Sequence, residues 1–98
     1  IRSERNFQIH LIAFILVIGA GFYFGITPKE FIVILSVSAL VFALEGVNTA
    51  IEKLCNEVTE ERKESIRKIK DIAAGAVLVG AIFAAVIGVI IFYPYLTR

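Results

Sequence analysis

Three long apolar runs, separated by short polar breaks, organise the chain. They extend from about Ile9 to Ile26, from about Phe31 to Ile51 and from about Ile72 to Leu96. Each has the roughly 20 residues that a helix needs to cross about 30 Å of hydrocarbon. The break between the first two is Thr27-Pro28-Lys29-Glu30. Thr27 suits an N-cap, Pro28 the first helical position, and Glu30 completes a capping box, so a tight helical hairpin is predicted here. The second break, KLCNEVTEERKESIRKIKD, is densely charged and contains neither Gly nor Pro. It predicts a helix continuing out of the membrane, a short turn, and a second helix leading back in. The expected fold is all-α and integral to the membrane: three transmembrane helices, a charged helical connection, and one domain over residues 1–98.

Composition supports that pattern. Of 98 residues, 58% are hydrophobic, against about 45–50% in soluble domains. A chain this short cannot hide so much apolar surface in its own core, so the excess must face lipid or other subunits. A net charge of +1 without a basic, aromatic-interleaved patch gives no reason to expect a nucleic-acid partner. The single cysteine, Cys55, excludes an internal disulfide and reads as a buried or interfacial thiol rather than a reactive one. One Cys and one His, His10, leave no zinc-ligand spacing. The opening IRSERNFQIH is not a signal peptide, because Glu4 and His10 interrupt the apolar region that one requires. The chain begins without Met, and residues before Ile1 are expected to be missing from it.

Charge sets an expected orientation. Arg2 and Arg5 precede the first run, and Lys53, Arg62, Lys63, Arg67, Lys68 and Lys70 lie in the second break; the opposite side carries Lys29 and Arg98. Positive charge favours the cytoplasmic side, which puts the N-terminus and the charged connection inside and the C-terminus outside. Tyr93 and Tyr95 then fit an outer aromatic belt. Small residues recur every fourth position at Ala76, Gly80, Ala84 and Gly88, at Gly21 and Gly25, and at Gly46 and Ala50. Such ridges let helices approach closely in lipid. Packing within the chain accounts for them as well as an oligomer contact does, although three helices alone make a thin bundle.

The second run ends unusually for membrane, with Glu45, Asn48 and Glu52 spaced i, i+3 and i+7. That spacing gathers them within an arc of roughly 60°. A charged side chain at a helix centre costs roughly 2.5–3.5 kcal/mol on the mildest insertion scales. Oxygen donors of this kind suit Mg²⁺, which takes one or two carboxylates together with substrate phosphates. A second carboxylate can serve as general base toward a hydroxyl. The plainer alternatives are that Glu45 and Glu52 snorkel or pair with basic groups at the interface, and that Asn48 bonds another helix. Glu4 and the Lys70-Asp71 pair lie on the same side, and the small run Ala73 to Ala76 leaves room for a ligand or a helix beside them. The residues therefore predict a cytoplasm-facing site with carboxylates for a metal and a lysine for phosphate.

The block EGVNTAIE, followed by KDIAAGAVL eighteen residues after Glu52, resembles the bacterial membrane lipid kinases, the prokaryotic diacylglycerol kinase family. SERNFQIHLIA is similar to that family's segment before its first span, and the resemblance covers nearly the whole chain. Among family branches, NFQIHLIA, VNTAIE and KDIAAGAVL look more like the undecaprenol kinases. The resemblance implies phosphorylation of a membrane lipid alcohol by ATP with Mg²⁺, in a homotrimer with sites between subunits at the cytoplasmic face. It implies that Glu45 is the catalytic base and that Glu4 and Glu52 bind metal. Asn48 and Asn56 would lie near metal and phosphate, with Lys70 on phosphate and Asp71 toward the nucleoside. Neither the family nor this chain carries a glycine-rich phosphate loop.

The chain departs from the family pattern at three places. Asn56 stands where the family usually has Asp, losing a charge while keeping an oxygen ligand. Arg62 and Lys63 stand where the family tends to place a Tyr-His pair, and the chain begins too late to show the family's amphipathic N-terminal segment. Three readings compete with an undecaprenol kinase: a diacylglycerol kinase making phosphatidic acid, a catalytically silent membrane-interaction homologue, and a small transporter or channel subunit. The last would need polar residues through the full membrane depth, and residues 73 to 92 have none.

Overall fold

The computed structural model describes the backbone of residues 2–58 and 63–98 and the side chains of residues 7–58 and 63–98. It is a bundle 55 Å long of three helices, α1 (Arg2–Phe24), α2 (Pro28–Val58) and α3 (Glu64–Thr97). All three are long and apolar enough to cross a membrane. At about 1.5 Å per residue α2 and α3 are roughly 46 and 51 Å long, well beyond the ~30 Å of hydrocarbon. Each therefore extends past the membrane, as the charged second break predicts.

Helix α1 stops at Phe24, two residues before the predicted end of the first run. Gly25 takes a left-handed φ of +67°, which a side chain would disfavour. The amide of Ile26 then donates to the Gly21 carbonyl (3.1 Å) and that of Gly25 to the Phe22 carbonyl (3.3 Å). This paired closure satisfies carbonyls that the helix end would otherwise orphan. Gly25 is thus a cap rather than part of a packing ridge. Gly21 is the close-approach position: a Cβ there would lie 2.8 Å from the Phe31 ring and 3.0 Å from the tip of Ile26.

The capping box forms as expected. The Thr27 amide donates to Glu30 Oε1 (2.8 Å), and the Glu30 amide donates to Thr27 Oγ1 (3.2 Å). The same Glu30 oxygen accepts from the Tyr95 hydroxyl near the end of α3. Arg98 lies over the Tyr95 ring, 4.8 Å from its centre, and donates to the Phe24 carbonyl at 3.2 Å. All three helices are thereby tied at one end, directly above a cluster of Ile26, Ile34 and Ile91 packed by Phe24, Phe31 and Phe92.

Helix α3 packs chiefly along α2, most closely at Gly80, where a Cβ would stand 2.7 Å from Leu44 Cδ1. Gly46 and Ala50, by contrast, are exposed. Large apolar side chains such as Leu16, Phe22, Phe83 and Ile90 also point outward, and few are buried. That inside-out distribution suits helices solvated by lipid.

Candidate active site

The buried residues of α2 are Ile34, Val41, Glu45, Asn48 and Cys55. Their spacing follows a heptad seam, the stripe that a helix buries against its neighbours. The seam changes character along its length, apolar at Ile34 and Val41 and polar from Glu45 onward. Glu45 and Asn48 are only 6% and 8% exposed. Glu45 is thus buried among the helices just where the seam turns polar. Cys55 is a buried free thiol, as its sequence context suggests.

A buried carboxylate needs a partner, and α1 supplies one. His10 Nε2 lies 3.1 Å from Glu45 Oε2. Phe7, His10 and Phe14 share one face of α1 and all turn edge-on to Phe42, with ring centres 5.8, 6.4 and 5.8 Å from it. Edge-to-face ring pairs of this kind contribute about 0.5–1.5 kcal/mol each beyond the area they bury. Phe42 precedes Glu45 by one turn, so the ring cluster fixes where the imidazole meets the carboxylate.

One turn further on, Asn48 Nδ2 donates to Glu52 Oε1 at 3.1 Å. Asn48 Oδ1 is buried and has no partner among the described residues. An unpaired buried acceptor costs about 1–3 kcal/mol, and this one belongs to the amide whose nitrogen bonds Glu52. A hard cation binds such oxygens, so Asn48 and Glu52 fit one in donor type. Among the described residues no three His, Cys, Asp or Glu side chains converge closely enough to hold a metal by themselves. The other carboxylate expected at a metal, Glu4, lies outside the described side chains, as does Arg62.

The expected nucleotide residues divide. Lys70 Nζ donates to Asn56 Oδ1 at 2.8 Å, joining α3 to α2. Asp71, the next residue, is exposed. Lys63 is exposed with an extended backbone immediately before α3. Helix geometry puts Glu45, Asn48, Glu52 and Asn56 within an arc of roughly 80° on α2, so Lys70 is held at the outer end of the same polar stripe.

Two hollows adjoin at Phe42, one turn before Glu45. A recess of about 450 Å³ is lined by Glu45, Phe7, Gln8, Phe42, Gly46, Thr49 and Lys53. An apolar cleft of about 230 Å³ runs from His10 between the three helices, past Val17, Ile34 and Ala84 to Gly88. The arrangement can take a proton at Glu45 from a polar group entering the recess, with an apolar body lodged in membrane. The sequence reading missed two parts, His10 as neighbour of Glu45 and the recess with Lys53. The available signal was the i, i+3, i+7 ring pattern of Phe7, His10 and Phe14 on the first span.

Comparison with known proteins then bears on the chemistry. The model of the family described as prokaryotic diacylglycerol kinase matches residues 1–92. The chain is 39% identical over 95 residues to an undecaprenol kinase of Bacillus subtilis (strain 168), covering 97% of this chain and 77% of that protein. It is 36% identical over 93 residues to a diacylglycerol kinase of Synechocystis sp. (strain ATCC 27184 / PCC 6803 / Kazusa), covering 94% of this chain and 53% of that protein. It is 28% identical over 93 residues to a diacylglycerol kinase of Haemophilus influenzae (strain ATCC 51907 / DSM 11121 / KW20 / Rd), covering 94% and 79% respectively. No solved structure matches the chain significantly.

Proposed function

The chain belongs to the prokaryotic diacylglycerol kinase family, a family of lipid kinases, and from that premise we propose that it phosphorylates undecaprenol with ATP to give undecaprenyl phosphate. The observation that carries the choice of acceptor is the 39% identity, over 97% of this chain, to an undecaprenol kinase. Diacylglycerol, giving phosphatidic acid, is the second reading, favoured by the 36% identity to a diacylglycerol kinase.

Phosphoryl transfer asks a protein mainly for positioning and charge neutralisation. Glu45 accepts the proton of the acceptor hydroxyl as the alcohol oxygen attacks the γ-phosphorus in line. The new O–P bond forms as the bond from that phosphorus to the bridging oxygen breaks, and ADP departs with the electron pair. Burial of Glu45 at 6% exposure supports this role, since bulk water is kept from the carboxylate that takes the proton. Glu52 and Glu4 would hold Mg²⁺, with Asn48 at the metal and phosphate. When bound, the ion neutralises charge on the phosphate oxygens. Lys70, poised by Asn56 at 2.8 Å, adds a positive charge for phosphate, Asn56 lends its amide beside it, and Asp71 faces the nucleoside.

The working unit is a single domain over residues 1–98, assembled as a homotrimer in the bacterial inner membrane with its N-terminus and site in the cytoplasm. Outward-facing apolar side chains along all three helices and the grouping of polar residues toward one end support that reading. A side-by-side assay decides the substrate: transfer of labelled γ-phosphate from Mg-ATP to undecaprenol and to a diacylglycerol in mixed micelles. Labelled undecaprenyl phosphate as the main product supports the proposal. Labelled phosphatidic acid as the main product selects the second reading, and transfer to neither from folded protein overturns both.

A further inference from the structure

The only histidine of the chain, His10, belongs to α1 and has no part in the phosphate and metal chemistry above. Its Nε2 nevertheless stands 3.1 Å from Oε2 of Glu45, and the two side chains are 26% and 8% exposed. A ring nitrogen presenting its lone pair to a carboxylate oxygen at that distance would be repelled. The imidazole thus faces the carboxylate oxygen directly, and the contact is attractive when Nε2 carries a proton. The ring is not free to turn away, because it packs edge-on against Phe42 with centres 6.4 Å apart. Phe7 and Phe14 hold Phe42 from either side at 5.8 Å.

We propose that His10 is a positioning residue for Glu45: it holds one carboxylate oxygen and so aims the group into the recess beside Lys53 where the acceptor hydroxyl enters. The proposal rests on the lipid-kinase reading of Glu45 as base. The recess is lined by Glu45 together with Gln8, Thr49 and Lys53 on its polar side. The apolar cleft begins at His10 itself. The imidazole thus stands where the apolar body of a lipid ends and its reacting group begins. A carboxylate without this neighbour could rotate about its side-chain torsions toward Lys53, the nearest cation lining the recess, and would spend less time in a productive pose. Misplacement of about 1 Å at a reacting group costs about 100-fold in rate.

The test uses the whole chain in mixed micelles with the better of the two lipid acceptors. His10→Leu fills the space without a donor, and His10→Gln returns an N–H close to the Nε2 position. Expected is a fall in kcat of about 10–100-fold for His10→Leu, with KM for ATP and the unfolding midpoint little changed, and recovery of most of that loss in His10→Gln. Phe42→Leu should give a smaller fall of the same kind. A second readout does not depend on turnover: the infrared carboxylate band of Glu45, identified as the band missing in Glu45→Gln, should shift in His10→Leu and return in His10→Gln. Activity of His10→Leu within about twofold of wild type, equal loss in both variants, or an unmoved carboxylate band would each overturn the proposal. No transfer by the wild type to any lipid alcohol, with the band shift present, would instead remove the kinase reading and leave the His10–Glu45 contact standing.

Discussion

Glu45→Gln separates activity from stability at one atom. The substitution keeps the side chain's size and its oxygen toward His10, whose Nε2 lies 3.1 Å from the present carboxylate, and removes only the capacity to accept a proton. Loss of a general base costs about 10²–10⁴-fold in rate, or about 2.7–5.4 kcal/mol of barrier. Stability should move little or in the opposite direction. Glu45 is 6% exposed, and a charged group placed deep in a spanning helix costs roughly 2.5–3.5 kcal/mol, part of which His10 offsets. Replacing it by a neutral amide relieves whatever remains, so the unfolding free energy should stay within about 1 kcal/mol of wild type or rise. The assay pairs kcat at saturating Mg-ATP and lipid with an unfolding titration in the same micelles. Activity within about tenfold of wild type would show that Glu45 is not the base. Activity loss accompanied by destabilisation beyond about 2 kcal/mol would show that it is a structural group.

Asn48→Ala removes the unpaired buried acceptor beside Glu52; the protein should be unchanged or up to about 1 kcal/mol more stable, while the Mg²⁺ concentration for half-maximal activity rises, and an unaltered Mg²⁺ titration would take Asn48 out of the site. Lys70→Ala should raise KM for ATP by about 10–100-fold, the equivalent of one hydrogen bond to a charged group, in steady-state assays varying ATP at saturating lipid. Gly21→Ala drives a Cβ to within 2.8 Å of the Phe31 ring, whereas Gly19 has nothing within 4 Å. The first should lower stability by about 1–3 kcal/mol through overpacking, and Gly19→Ala should be neutral or stabilising by about 0.5–1 kcal/mol, both read from unfolding titrations.

Local chemistry was the most legible part of the sequence. Thr27, Pro28 and Glu30 announce a capping box because every group in it lies within one turn, and the two bonds are present at 2.8 and 3.2 Å. The polar stripe was legible for the same reason, since one helix fixes Glu45, Asn48 and Glu52 relative to one another whatever surrounds them. Gly25 was misread as part of a packing ridge, because spacing does not record that its φ is +67°. The His10 contact was missed for a different reason. Pairing two helices depends on how each is rotated about its axis, and hydropathy reveals rotation only when one face is more polar than the other. In α1 the lipid-facing Ile12, Ile15 and Leu16 are as apolar as the inward-facing Val17 and Ile18, so hydropathy gives no bearing on which way His10 points, and only the spacing of Phe7, His10 and Phe14 marks a shared face.

The two ends of the bundle divide the work that a single seam cannot do alone. At the hairpin end, Glu30 accepts from Thr27 and Tyr95, Arg98 caps the Phe24 carbonyl, and three isoleucines close the cluster beneath. At the other end the same face of α2 holds a carboxylate, an unpaired amide oxygen and a thiol. The carboxylate and the unpaired oxygen cost folding energy when buried, and the hairpin end holds the helices together through partners that they do not share. Destabilising the hairpin should therefore cost folding before chemistry, and neutralising the polar seam should cost chemistry before folding. Tyr95→Phe combined with Glu45→Gln provides the check. The sites lie at opposite ends and share no partner, so their effects on stability should add within about 0.5 kcal/mol. A coupling larger than that would mean that the clamp and the seam are one cooperative unit, and that the burial of Glu45 is maintained by the hairpin rather than by His10 and Phe42.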